Sequence, residues 1–150
     1  MSPLDFSRLE KKAEKINQQS DQLTAAINAI NEKLNSLNLG VEAFCDRLFD
    51  CIDLDGKKQC DYYLGYGKID AKWGIIVRGE ITVPTSHDRS GDPEGWKTIE
   101  VQEKQFLLSC SRRIRMKAID SISSLIEALE KEVDQLEGSV SKAQEIAKNL

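Results

Sequence analysis

The sequence predicts an α+β fold. The expected form is a long antiparallel helical hairpin, a coiled-coil-like stalk of N- and C-terminal helices with a small antiparallel β-meander inserted at one end. Three observations lead there. From Leu9 to Cys51 an apolar or small residue recurs with the 3-4 alternation of a heptad. One seam position reads Leu9, Ile16, Leu23, Ile30, Leu37, Phe44, Cys51, and the other Ala13, Ser20, Ile27, Leu34, Val41, Leu48. The repeat returns near the C-terminus, where Ile119, Ile126, Val133, Val140 and Ala147 alternate with Ile122, Leu129, Leu136, Ala143 and Leu150. Between the two lie short β-branched and aromatic runs punctuated by turn residues.

Pro3 suits a first-turn position and Asp5 the positive end of a helix dipole, so the first helix is expected over about 4–52. Gly40 is its weak point. A glycine costs about 1 kcal/mol against alanine, which a long seam can absorb; the alternative is a break into helices 4–39 and 41–52. Asp53 to Lys58 stops the helix, with Gly56 as the left-handed turn residue.

A β-meander head is expected over about 59–101. Gln59 to Lys68 alternates, with Cys60, Tyr62, Leu64 and Tyr66 on one face, and Asp70-Ala71 can form a two-residue turn. Trp73 to Val83 is a second strand, interrupted by Gly79, and Trp96 to Val101 a third. Thr85 to Gly95, rich in Gly, Pro, Ser and Asp, reads as an exposed loop. The second helix is expected over about 103–150. Its first half, with Leu107, Cys110, Ile114, Ala118 and Leu125 at a 3.6 period, should lie on the meander, and its second half should pair with the first helix. The segments 9–51 and 108–150 are equal in length, and at about 1.5 Å per residue each arm would reach roughly 60 Å. Association of two hairpins into a four-helix bundle is the competing arrangement.

At 150 residues the chain suits one domain. Its net charge of −4 argues against wholesale binding to nucleic acid or an anionic membrane. Met1 to Lys15 is polar where a secretion signal would be apolar, and no apolar stretch is long enough to span a bilayer. A cytoplasmic protein with reduced thiols is expected. The four cysteines (Cys45, Cys51, Cys60, Cys110) form no CxxC pair and match no zinc spacing, so neither metal nor cofactor is expected. Asp53-x-Asp55-Gly56 resembles part of a calcium loop but has Cys51 and Tyr62 where the first and last carboxylates belong.

Two groups of residues are candidates for function. The aromatics of the head, with Tyr63, Tyr66, Trp73 and Trp96 foremost, together with His87 of the polar loop, form a candidate protein-binding surface. The competing role for these aromatics is the head's own core. Arg112, Arg113, Arg115 and Lys117 form a basic stretch suited to phosphates, or to solvation and pairing with the acidic residues between Glu42 and Asp55. His87, with only sequence neighbours Ser86, Asp88 and Ser90 beside it, makes no catalytic constellation, and Gly65-Tyr66-Gly67 lacks the third glycine of a dinucleotide loop. The expected function is a non-enzymatic protein-interaction or scaffold protein. Its stalk would set geometry or oligomeric state, and its aromatic head would contact an unidentified protein. A nucleic-acid-associated accessory protein using residues 112–117 ranks second, and a small enzyme with a site in the β head third.

Overall fold

The computed structural model describes residues 3–85 and 95–150. It is an α+β protein in which helices cover one face of an antiparallel sheet. Helix α1 spans Ser7–Ser36. The Asp5 carboxylate accepts from the Ser7 backbone N–H at 3.0 Å and from its hydroxyl, and these bonds hold the carboxyl below the usual range. At the other end Asn38 (φ 52°) and Gly40 (φ 64°) both turn left-handed, one at the position that ends many helices.

The first helix therefore does not run to residue 52. Residues Ala43–Asp53 form strand β1, because a partner strand supplies their backbone hydrogen bonds. Strands β2 (Gln59–Ile69), β3 (Lys72–Pro84), β4 (Trp96–Val101) and the short β5 (Gln105–Phe106) follow. The order is β1-β2-β3-β4, with β5 also paired to β3. Asp70 and Ala71 (φ 49° and 69°) make the expected two-residue turn, and both positive angles match the primed turns whose twist suits a hairpin. Register then places Tyr62, Leu64 and Tyr66 opposite Gly79, Val77 and Ile75, on the face toward the helices.

After β5 a 3-10 turn (Leu107–Ser109) leads into α2 (Arg112–Ala118), whose N-cap Ser111 hydroxyl accepts from the Ile114 N–H. A second 3-10 turn (Ile119–Ser121) passes directly into α3 (Ile122–Lys148). The core joins Ile27 and Leu34 of α1 to Leu64, Tyr66, Ile75 and Val77 of the sheet and to Leu107, Ile114, Ala118, Leu125 and Leu129.

The expected antiparallel hairpin gives way to helices that run in the same direction. Asn31 accepts from the Ile75 N–H at 2.8 Å and Asn35 donates to the Trp73 carbonyl at 3.1 Å, so α1 runs against β3. Each of the four reversals α1–β1, β1–β2, β2–β3 and β3–β4 flips the chain, and an even number restores the direction of α1. Because β5 also opposes β3, and α2 and α3 run against β1, the C-terminal helices follow α1's direction. Cross-helix contacts agree. Arg112 donates to Asn17 at 2.8 Å, Arg115 donates to Thr24 at 2.7 Å, and Leu34 and Leu37 share a cleft with Ile126, Leu129 and Val133.

Parallel, offset helices leave free ends. From Asp134 to the C-terminus every residue is exposed, and at the opposite end of the molecule so are Leu4, Phe6 and Leu9.

Candidate functional site

The predicted aromatic surface is not one surface. Tyr66 is buried on the helix side, its hydroxyl donating to Asn35 Oδ1 at 2.6 Å. The half-buried Trp73 stacks on it with ring centres 5.5 Å apart and planes 23° apart. The pair forms one wall of a cleft of about 170 Å³, closed by Asn35, Asn38, Leu39 and Gly40. Tyr63 lies on the opposite face of the sheet. There the Arg78 guanidinium sits 4.3 Å from the Phe44 ring centre and 5.6 Å from that of Tyr63, and pairs with Glu80 at 3.3 Å. Trp96 lies on β4, all six of whose residues are exposed. His87 lies outside the described residues. Alternation along β2 thus separates Tyr63 from Tyr66 by the thickness of the sheet.

The basic stretch is built into the fold. Arg112 and Arg115 reach to α1 as described, and Arg113 spans to β1. Its Nη2 donates to Asp50 Oδ1 at 3.3 Å, while Nε faces Oδ2 at 3.2 Å, off the hydrogen-bond line. The Asp50 side chain is only 8% exposed, so this guanidinium is what lets a carboxylate sit there. Met116 stands open between Arg112, Arg113 and Lys117.

All four cysteines are free thiols. Cys51 is exposed, yet its pKa is pushed up to about 11, first by partial desolvation of the sulfur and then by its hydrogen bond and repulsion with Asp61. Burial, followed by the hydrogen bond its hydroxyl donates to Cys60, pushes Tyr62 up to about 12. Both effects suppress the nucleophilic anion. Among the described residues, no three His, Cys, Asp or Glu side chains are grouped to hold a metal ion, and no helix is long and apolar enough to cross a membrane.

What remains is a pair of apolar helix faces. Leu136, Val140 and Ile146 of the C-terminal half of α3, and Leu150 just beyond it, are all exposed, with Leu136, Val140 and Leu150 in the predicted seam. Leu4, Phe6 and Leu9 precede or begin α1 and are exposed at the other end, continuing into the half-buried Ala13 and Ile16. The base of the α3 extension opens onto the cleft of about 320 Å³ shared with Leu34, Leu37 and Leu39. The sequence suggests that these faces cover each other within one chain, whereas the parallel offset of the helices leaves each projecting half without a companion among the described residues. Comparison with family models, curated proteins and solved structures returned no match to this chain, so the functional reading rests on its own residues.

Proposed function

We propose that this is a non-enzymatic interaction or scaffold protein whose contact surfaces are its two projecting helix halves. The observation that carries this reading is the fully exposed heptad face of α3 beyond Val133, where Leu136 is 46% and Val140 54% exposed. A heptad seam is selected for contact with another helix, and an isolated helix of this length in water draws little stability from propensity alone. Trp96 with Ile99 and Val101 on β4 offers a secondary apolar contact, as expected of an interaction protein's head. The four unpaired thiols favour a reducing compartment such as the cytoplasm.

The test compares wild type with Val140→Glu, a change far from the core. Mass by light scattering and the set of co-purifying proteins are measured for both, alongside thermal melting. The reading expects at least one association, with itself or another protein, to disappear in Val140→Glu while the melting curve is kept. Identical masses and identical co-purifying sets for the two proteins would remove it.

A further inference from the structure

The geometry points to the cleft between the end of α1 and the base of the projecting half of α3 as a docking groove for a short amphipathic helix of another protein, one whose apolar anchors are flanked by lysine or arginine. The inference rests on the reading of α3 as a contact surface and adds the chemistry of the partner. The cleft exists because α1 ends at Ser36 while α3 runs on to Lys148. Leu34 and Leu129 are buried beneath it, Leu39, Ile126 and Val133 are half-buried along it, and Leu37 stands 51% exposed at its lip. One turn beyond Val133, Leu136 carries the same apolar row out of the cleft at 46% exposure. A cavity of about 320 Å³ suits large apolar anchors at the i, i+3, i+4 spacing by which an amphipathic helix enters a groove. The bound helix takes up the place beside α3 that α1 vacates.

Charge sets the sign of the partner. Glu130, Asp134 and Glu137 each follow one residue after Leu129, Val133 and Leu136, so the same 4-3 spacing lays an acidic row along one side of the apolar row. Glu130 and Asp134 line the cleft, and no basic side chain does. Residues 127–137 carry five acidic side chains and one basic, whereas residues 138–148 carry one acidic and two basic. The acidic excess is therefore confined to the groove end of the projecting half. Among the described residues, Glu130, Asp134 and Glu137 make no ion pair. Exposed rim pairs add little affinity singly, so the apolar row supplies the binding and the acidic row decides which helices are accepted and which repelled.

Two synthetic helical peptides test the groove, with the same leucines at i, i+3, i+4 and i+7 and either lysine or glutamate at the flanking positions. Binding to the full chain is read by fluorescence anisotropy across a salt series. The lysine-flanked peptide is expected to bind at least about tenfold tighter than the glutamate-flanked one, with the difference shrinking as salt rises. Reversing the row with Glu130→Lys, Asp134→Lys and Glu137→Lys together should invert the preference. Leu37→Ser with Leu136→Ser, both at exposed apolar side chains, should weaken the lysine-flanked peptide by at least about tenfold while the melting curve is kept. Equal binding of the two peptides, no binding of either, a preference that survives the charge reversal, or binding indifferent to the leucine changes overturns the proposal. So does self-association of the protein alone that the double leucine variant abolishes, read by sedimentation, because a second copy is then the occupant. If the groove fails in any of these ways while Val140→Glu still removes an association, the interaction reading stands without this partner. If Val140→Glu removes none, both are wrong.

Discussion

At the scale of single residues, the side chains with chemistry to offer are mostly held in structural work. Arg113 compensates the buried Asp50 carboxylate, and Arg113→Met would leave that charge without its cation. Because the guanidinium is itself 57% exposed, the expected loss is modest, roughly 1–2 kcal/mol in urea unfolding. Adding Asp50→Asn should recover part of it. Raised pKa values set the alkaline limit of stability. Cys51 and Tyr62 keep their protons in the folded protein up to about 11 and 12, against ordinary values of 9.0 and 10.0. In the interval the unfolded chain has released protons that the folded one still holds, so folding stability is full below about pH 9 and falls as pH rises toward 12. The urea midpoint should decline over that range, less steeply in Cys51→Ser. At pH 8 the exposed Cys51 should also react more slowly with maleimide than a free peptide thiol.

At the scale of elements, the glycines and turns separate positions that need a missing Cβ from those that do not. A Cβ at Gly65 would stand 2.5 Å from the Phe44 ring and 2.8 Å from the Ala43 carbonyl oxygen, so Gly65→Ala should cost about 2–3 kcal/mol by thermal melting. Gly138 has nothing within 4 Å, so Gly138→Ala should instead raise helix stability by about 1 kcal/mol. Ala71 at φ 69° carries a side chain where the hairpin turn favours glycine, and Ala71→Gly should stabilise by about 0.5–1 kcal/mol. The hairpin of β2 and β3 was legible because alternation and turn chemistry agree there. Strand β1 was not. Phe44, Leu48 and Cys51 fall on a heptad by spacing, but the same stretch also alternates, with Ala43 and Cys45 buried, and pairing with β2 decides between the two periods. The warning lay in Asn38-Leu39-Gly40, two residues tolerant of left-handed backbone within three positions.

At the scale of the whole molecule, heptads reveal that helices need companions but carry no arrow. Equal spans and a compact insert suggested arms folded back on each other. Counting strands decides direction, and the misread β1 removed one reversal from that count. The aromatic cluster divides for a related reason: residues an odd number of positions apart fall on opposite faces of a strand, so Tyr63 and Tyr66 do not share a surface. The basic stretch was legible as a feature, including its pairing with acidic residues of the 42–55 segment, which Asp50 supplies.

Hydrogen exchange of the backbone amides of residues 130–140, followed by mass spectrometry with and without the lysine-flanked peptide, tests the central claim most directly. An unpartnered projecting helix that is covered on binding should exchange rapidly in the protein alone and become protected with the peptide, with the Leu37→Ser, Leu136→Ser double variant remaining unprotected in both. Exchange that is equally slow with and without the peptide, in wild type and variant alike, would contradict the account.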